Sequence, residues 1–333
     1  MFTCRIVGYN SSAIRLSFYR KIRDWQLPDP MTTPPVCDYE GSDYQTSFWD
    51  KGGRAYEDRT EAIALRRLLP QKGRLLLELG AGAGRNTPRY LGFDRIVLLD
   101  YSHTQLEQAQ QRLGTSAKYV YVAADAYRLP FVDGLFDAVT MIRVLHHMAD
   151  APKTLGQVRN VLASGGVFIL EFANKLNLKA MIRYLLGRQT WSPFTLEPVE
   201  FAKLNFDFHP KAVRKWLKDL HFRIERTLTL SHFRIGFLKR MVPTRILVFL
   251  DSLFQWTGAW WQLSPSVFVK ATLIRQGGAP PHRQDYISYF KCPDCGHSPL
   301  LDKKDNLQCS SCGKHWGIKD GIYDFREPVT QKG

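Results

Sequence analysis

The sequence contains no run of about 18 apolar residues, so no segment is long enough to cross a bilayer as one helix. Residues 1–30 also lack the continuous apolar core and small-residue cleavage site of a secretory signal. They carry several Lys and Arg residues but no acid before Asp24, which fits a transit peptide or an over-long start before Met31. We favour the over-long start and predict a cytoplasmic protein in which residues 1–30 form a poorly ordered extension.

Cysteine is scarce, with six residues, and most of it is concentrated near the C-terminus. Cys4 and Cys37 are isolated from the others. Because the sequence lacks a secretory signal, it favours metal ligation by the clustered cysteines in a reducing compartment over disulfides. The remaining four residues form two CxxC pairs, Cys292/Cys295 and Cys309/Cys312, each followed by glycine. Four thiolates satisfy the tetrahedral preference of Zn²⁺ and leave no open position, which predicts a structural zinc site. His297 and His315 are expected to be bystanders.

Acidic residues are outnumbered, with 31 Asp and Glu against 46 Lys and Arg, which gives a formal net charge of +15. The surplus is concentrated between residues 175 and 283. Such a charge favours an anionic partner such as RNA, an acidic protein or a membrane face. Solubility without a specific partner explains it equally well.

Helical and strand patterns alternate along most of the chain. The apolar spacing of residues 44–69 predicts a helix that ends at Pro70. The later pattern predicts an α/β fold with a mostly parallel, seven-stranded Rossmann-like sheet and helices on both faces. The predicted strands are 74–79, 95–100, 119–124, 136–142, 166–172, 222–230 and 266–274, and the predicted helices are 85–91, 104–113, 151–162 and 209–220.

The same reading divides the chain into domains. After the extension comes a main domain over residues 31–276, with an aromatic helical insertion at about 237–263. A linker rich in glycine and proline follows at 277–287. A zinc ribbon at 288–326 and a tail at 327–333 complete the chain.

A glycine turn follows the first predicted strand, in the stretch Leu75-Leu-Leu-Glu-Leu-Gly-Ala-Gly-Ala-Gly-Arg85. Glycines let a backbone pass close to a ligand where a Cβ would clash. The spacing is GxGxG, and Arg85 stands where the dinucleotide fingerprint needs glycine. No Lys-Ser/Thr follows, which excludes a phosphate-binding P-loop.

Asp100 ends the next predicted strand, and Asp125 directly follows the one after it. Asp100 can accept hydrogen bonds from both hydroxyls of a ribose, and Asp125-Ala126 can read an adenine. With ELGAGAG, LLDYS, AADAYRLPF, FDAVTMIRVLHHM and LASGGVFILEF, residues 44–175 resemble the class I S-adenosylmethionine (SAM) dependent methyltransferases, in particular the ubiquinone/menaquinone methyltransferase group. The resemblance implies that SAM is held by Glu78, Gly80, Gly82, Gly84, Asp100, Tyr101, Asp125, Ala126, Ile142 and Arg143.

Candidates for a general base follow the fourth predicted strand. In a SAM-dependent reaction the cofactor activates the methyl group, and the protein aligns the acceptor and in some cases removes its proton. His146 and His147 are the candidates, although packing or helix capping also explains them. His209 is expected to cap a helix, and Glu171 and Asn174 are candidates to line an acceptor pocket.

Two features that the sequence lacks make some classes of methyl acceptor less favoured. The Asn/Asp-Pro-Pro-aromatic turn of adenine and glutamine-amide methyltransferases is replaced by the residues Ile142-Arg-Val-Leu145. No cysteine lies near the predicted site, which disfavours covalent attack on a pyrimidine.

The ribbon, which ends in WGIKDGIYDF, resembles the small zinc protein that partners tRNA, rRNA and release-factor methyltransferases. It is also similar to the N-terminal ribbon of certain 23S rRNA guanine methyltransferases. These resemblances leave three hypotheses. The first, which we favour slightly, is that the acceptor is a lipophilic small molecule, with the aromatic insertion capping an apolar pocket or lying on a membrane surface. The second is that the acceptor is an RNA or a translation factor. The third is that the chain is a non-catalytic scaffold that binds SAM.

Overall fold

The computed structural model describes residues 5–7, 34–275 and 285–329. Most of the predicted extension 1–30 and of the linker 277–287, together with the end of the tail, lies outside these described residues. Within them, Arg5–Val7 (β1) pairs antiparallel with Val36–Asp38 (β2).

The strands of the main domain and of the ribbon form one continuous sheet. It contains eleven strands in the order β10-β11-β7-β6-β3-β4-β5-β15-β14-β13-β12. The strand bounds are Gly73–Leu79 (β3), Phe93–Asp100 (β4), Tyr119–Ala123 (β5), Phe136–Met141 (β6), Leu162–Ala173 (β7), Phe222–Leu230 (β10), Ser266–Leu273 (β11), Leu301–Asp302 (β12), Asn306–Gln308 (β13), His315–Lys319 (β14) and Ile322–Asp324 (β15), and a separate hairpin is formed by Val199–Ala202 (β8) and Asn205–Asp207 (β9).

The predicted fold class is confirmed, with a larger sheet than expected. Seven strands of this sheet come from the main domain, as predicted, and β11 runs antiparallel to the other six. The four ribbon strands extend this sheet to eleven.

The helices flank the sheet and connect its strands. Their bounds are Ala55–Leu68 (α1), His103–Leu113 (α2), Ala151–Val161 (α3), Leu178–Leu185 (α4), Pro210–Asp219 (α5), Gly236–Met241 (α6) and Thr244–Phe254 (α7). A π-helix at Gln45–Asp50 precedes α1. The helix predicted at 85–91 is wrong, because Pro88 lacks an N–H and only a 3-10 turn at Thr87–Arg89 forms.

The central strands are buried on both faces, as their uninterrupted apolar sequences predict. Leu76 and Leu98 belong to one apolar core, whereas Leu77 and Leu99 belong to the other core on the opposite face. Successive strand residues point to opposite faces, so each strand contributes to both cores. Each fully buried leucine contributes roughly 1.5–3 kcal/mol.

The ribbon attaches to the open edge of the parallel sheet. Strand β15 pairs in parallel with β5, with Ile322 opposite Tyr121 and Asp324 opposite Ala123. The Phe325 N–H continues this pairing by donating to the Ala123 carbonyl at 2.7 Å. The ribbon thereby covers a strand edge that would otherwise expose unpaired backbone groups.

Candidate cofactor pocket and cysteine cluster

A large pocket opens at the carboxyl ends of β3, β4, β5 and β6, where open α/β sheets bind ligands. Its empty volume is about 1010 Å³. Ten of the twelve residues predicted for catalysis or cofactor binding line it, namely Glu78, Gly80, Gly82, Asp100, Tyr101, Asp125, Ala126, Ile142, Arg143 and His147. Gly84 and His146 are outside this lining.

Asp100 ties the glycine turn to the end of β4. Its Oδ2 accepts the Gly82 N–H at 2.8 Å, and its Oδ1 accepts the Ser102 N–H at 3.0 Å. Burial raises the pKa of Asp100 to about 6. The carboxylate is thus held at the pocket wall by two backbone donors.

The other two predicted acids are buried beside the same pocket. Glu78 is 4 % exposed and accepts the Thr87 hydroxyl at 2.6 Å, and burial raises its pKa to about 7. Asp125 is equally buried, and its Oδ1 accepts the Tyr127 N–H at 2.8 Å. Burial also raises the pKa of Asp125. All three carboxyls favour a ligand that offers hydroxyl, amine or ammonium hydrogens.

The three glycines of the turn have different surroundings. A Cβ on Gly80 would lie 2.1 Å from Val144 Cγ2, whereas the nearest atom to a Cβ on Gly82 is 3.9 Å away. A Cβ on Gly84 would lie 2.8 Å from Leu113 Cδ1. The prediction that Gly84 lines the pocket therefore needs correction, because its missing side chain makes room for α2 and not for a ligand.

Arg143 forms part of the pocket in a left-handed backbone conformation, with φ of 59°, which is rare for a residue with a side chain. Its N–H donates to Glu171 Oε2 at 2.9 Å, and its Nε donates to Glu61 Oε1 at 2.6 Å. Two buried carboxylates therefore hold this conformation. Backbone strain of this kind is frequent at functional sites.

His147 forms a hydrogen-bonded pair with a residue that the motifs did not indicate. Its Nδ1 lies 2.9 Å from the Leu204 carbonyl oxygen, and its Nε2 lies 3.1 Å from the Tyr39 hydroxyl. Because a carbonyl only accepts, Nδ1 carries the proton and Nε2 accepts from Tyr39. Burial lowers the pKa of His147, so the neutral imidazole is favoured.

The remaining candidates have structural partners. His146 packs against His147, with ring centroids 4.0 Å apart and ring planes tilted by 43°, and it is not among the residues that line the pocket. His209 accepts the Lys211 N–H at 3.1 Å and caps α5, as predicted. Asn174 donates to the carbonyls of Gln262 and Ser264 and therefore fastens loops together.

Aromatic side chains from the segment before α1 complete the pocket. Tyr39, Tyr44 and Trp49 line it, and the Arg85 guanidinium lies 3.6 Å from the centre of the Trp49 ring. Glu61 accepts from Arg85 at 2.7 Å and orients that guanidinium. Sequence reasoning missed these residues because they precede the alternating strand and helix pattern, and only a helix was predicted there.

The four predicted metal ligands come together in the ribbon. The Sγ atoms of Cys292, Cys295, Cys309 and Cys312 lie within 4.8 Å of one another. Two Sγ–Sγ distances are 3.5 and 3.7 Å, close to the edge of about 3.8 Å that follows from tetrahedral Zn–S bonds of about 2.3 Å. Gly296 and Gly313 have φ of 75° and 73°, which the tight knuckles require.

One cysteine departs from the sequence prediction. Cys37 is disulfide-bonded in the structure, although the sequence favoured reduced cysteines throughout. It lies in β2 at the pocket wall, so the expectation that no cysteine lies near the site is wrong.

The ribbon contacts the pocket through charged side chains. The Arg326 guanidinium donates to the Tyr101 carbonyl at 3.3 Å and to Glu40 at 3.4 Å. Glu40 in turn accepts the His103 N–H at 2.8 Å, at the start of α2. The loop that follows β4, and with it one wall of the pocket, is therefore braced by the ribbon.

Comparison with known proteins finds a matching family for the part of the chain that forms most of the pocket. The family described as "Methyltransferase domain" matches residues 77–170. A demethylmenaquinone methyltransferase from Clavibacter sepedonicus is 28 % identical over 185 residues, which are 51 % of this chain and 75 % of that protein. A ubiquinone/menaquinone biosynthesis C-methyltransferase from Enterobacter sp. (strain 638) is 31 % identical over 114 residues, which are 32 % of this chain and 45 % of that protein.

Among solved structures, a SAM-dependent methyltransferase from Mesorhizobium loti is 21 % identical, with a TM-score of 0.48 over 66 % of this chain and all of that chain. The family match shows a methyltransferase domain over residues 77–170, and the two sequence relatives are named as methyltransferases.

The described helices are all too short or too polar to cross a membrane.

Proposed function

We propose that the chain transfers the methyl group of SAM to a lipophilic small molecule that presents an ionisable oxygen or carbon. The observation that supports this proposal most directly is the hydrogen-bonded pair of His147 and Tyr39 in an aromatic pocket. SAM would be held by the lining residues Glu78, Gly80, Gly82, Asp100, Tyr101, Asp125, Ala126, Ile142 and Arg143.

In this proposal each of the three acidic residues binds a different part of SAM. Asp100 accepts the ribose hydroxyls, and Asp125 accepts the adenine amino group while the Ala126 N–H meets a ring nitrogen. Glu78 steers the methionine ammonium group. Gly82 leaves open space on the pocket side, so the ribose and methionine parts pass close to the backbone.

The methyl transfer needs one proton acceptor when the substrate is an enol or phenol. The acceptor hydroxyl gives its proton to Tyr39 as Tyr39 passes its own to His147 Nε2. SAM, when bound, would supply an activated methyl group to the acceptor's electron pair and would leave as S-adenosylhomocysteine. The imidazolium that results still donates from Nδ1 to Leu204, so no bond is lost.

Zinc belongs to the same proposal. Its ligands would be the four ribbon cysteines, whose spacing fits a closed tetrahedral site. With all four positions filled, the metal would fold the ribbon and take no part in methyl transfer.

Aromatic residues at the pocket favour a small lipophilic acceptor, as do relatives named for quinone methylation. RNA is the second candidate, because Lys211, Arg214, Lys215 and Lys218 are all exposed on α5. The test offers the full-length protein SAM with detergent-solubilised hydroquinones, tRNA or rRNA, and measures S-adenosylhomocysteine. Turnover with a hydroquinone alone supports the proposal, and turnover with RNA alone replaces it.

Replacing His147 is expected to slow methyl transfer by about 10²–10⁴-fold, the usual contribution of a general base. His147→Ala should leave the Kd for SAM unchanged, because the proposed role concerns the acceptor. Tyr39→Phe removes only the relaying hydroxyl and should cause a smaller loss. The measurement is the initial rate at saturating SAM, and a rate within about twofold of wild type for both variants would rule out this pair.

Two glycine variants distinguish a glycine that the fold needs for packing from a glycine that leaves room for the cofactor. Gly82→Ala should cost about 1 kcal/mol of stability, because its φ is 53°, but should abolish SAM binding since its Cβ enters the pocket. Gly80→Ala should destabilise the fold more, because its Cβ meets Val144. Thermal unfolding and SAM titration of both variants check this, and SAM binding by Gly82→Ala would contradict the assigned position.

A further inference from the structure

Helix α7 turns an apolar face toward solvent. Ile246, Phe249 and Leu253 are 44 %, 61 % and 55 % exposed, and their spacing places them on one side of the helix. Leu247 and Asp251 on the opposite side are buried against α1, where Asp251 accepts the Tyr56 hydroxyl at 2.5 Å. The helix is therefore fixed to the domain by one face and leaves the other uncovered.

Neighbouring segments extend this face, which we call the cap surface: the exposed side chains of residues 178–186 and 235–263. Trp260 and Trp261 are 77 % and 61 % exposed in the turn after α7. The Leu178 N–H at the start of α4 donates to the Leu263 carbonyl at 2.8 Å, which joins the two segments. Leu185 in α4 is 74 % exposed. Exposed apolar residues grouped in this way differ from the singly scattered apolar residues of an ordinary surface.

The charges of the cap surface have one sign. Lys179, Arg183, Arg240 and Arg245 are exposed, and the structure gives them no ionic partner among the described residues. The single acid of these two segments is Asp251, which is fully buried. Protein interfaces are usually depleted in lysine, whereas tryptophan, apolar residues and basic residues together are typical of an anionic membrane interface.

Two elements of the cap surface, α4 and α6, begin at the same edge of the sheet as the pocket. Strands β7 and β10 run parallel to β3, and α4 and α6 follow their carboxyl ends. The pocket is built on the carboxyl ends of β3 to β6. A flat partner that contacts α4 and α6 would therefore lie beside the pocket edge.

We propose that the cap surface seats the protein on the face of an anionic lipid bilayer, with the tryptophans in the interface and the basic residues at the headgroups. The docking stands on this surface alone. Its use in drawing a lipophilic acceptor from the bilayer rests on the function proposed above.

Vesicle co-sedimentation of the full-length protein tests this docking. Phosphatidylcholine vesicles that contain phosphatidylglycerol should bind the wild type at least about tenfold more tightly than pure phosphatidylcholine vesicles do. Trp260→Ser with Trp261→Ser should weaken binding at least about tenfold, because two interfacial anchors are lost. Lys179→Glu with Arg183→Glu should weaken it by a similar factor on anionic vesicles only.

The matched control changes the same number of charges elsewhere. Arg214→Glu with Lys215→Glu on α5 should leave vesicle binding within about twofold of wild type, since those residues lie outside the cap surface. Equal loss in this control would overturn the proposal in favour of non-specific attraction. Absence of sedimentation, or a dimer that the tryptophan variant dissociates in size-exclusion chromatography, would overturn it too. Hydroquinone turnover that persists without vesicle binding would separate this failure from failure of the proposed function.

Discussion

Asp100→Ala is expected to weaken SAM binding about 100-fold, measured by isothermal titration of zinc-assayed protein. In the proposed complex the carboxylate accepts both ribose hydroxyls, and hydrogen bonds to a charged group contribute about 1.5–3 kcal/mol each. A total near 3 kcal/mol corresponds to that factor in Kd. Asp100 also holds the Gly82 N–H, so part of the effect would arise from the glycine turn.

Asp100→Asn is the matched control for that turn. The amide oxygen can still accept from Gly82, but the charge is lost, and we expect about a tenfold weaker Kd. Unchanged affinity in both variants would show that the ribose binds elsewhere. Thermal unfolding of the free proteins identifies any variant that fails to fold.

The same carboxyl should make SAM binding depend on pH. Its pKa of about 6 in the folded protein means that it becomes protonated as the pH falls through 6, and affinity should decline there. Protonation stabilises the free fold over that range, because an unfolded aspartate has a pKa near 3.9 and binds fewer protons. A loss of affinity near pH 6 therefore does not report unfolding. Asp100→Asn should reduce this loss, and the decline that stays in the variant would come from Glu78, whose pKa is about 7, and from Asp125, whose pKa is also raised.

Removing zinc is expected to lower the melting temperature by about 10 °C and to weaken SAM binding about tenfold. Metal binding supplies most of the folding free energy of a small ribbon, and a few kcal/mol corresponds to that shift for a domain of this size. The coupling to SAM follows from Arg326, which braces the Tyr101 carbonyl at the pocket wall. Chelation of the purified protein, with zinc measured by mass spectrometry, tests both effects.

Adjacent substitutions provide the control for chelation. Cys309→Ser removes a proposed ligand, whereas Ser310→Ala changes its exposed neighbour and leaves all four thiols in place. We expect only the first to lose zinc, stability and SAM affinity. A zinc-free protein with the wild-type melting temperature would contradict a structural role for zinc. A zinc-free protein that melts at a lower temperature but binds SAM with wild-type affinity would contradict the coupling between the ribbon and the pocket.

Local patterns predicted most of the elements of this fold. The stretch Phe222–Leu230, in which apolar and polar residues largely alternate, was predicted with the bounds that β10 has, and Asp100 and Asp125 were placed at strand ends by sequence alone. Both cases depend on a short, continuous stretch with one clear periodicity. The 85–91 helix was wrong because a proline interrupted a stretch too short to show its period.

The long-range features could not be predicted in this way. The pairing of β15 with β5 joins residues about 200 positions apart, and no local pattern encodes which strand edge is open. Tyr39 meets His147 across 108 positions for the same reason. Such contacts are decided by how the finished sheet presents its edges and loops.

Because β15 and β5 belong to one chain, their parallel pairing also persists when the protein is present at low concentration. Two separate chains joined by a short strand pairing would come apart on dilution, whereas two segments of one chain keep a fixed, high local concentration of each other. Their ratio is one to one in every molecule synthesised. The brace on the pocket is therefore independent of expression level, and only breakage of the chain or loss of the ribbon's own fold would release it.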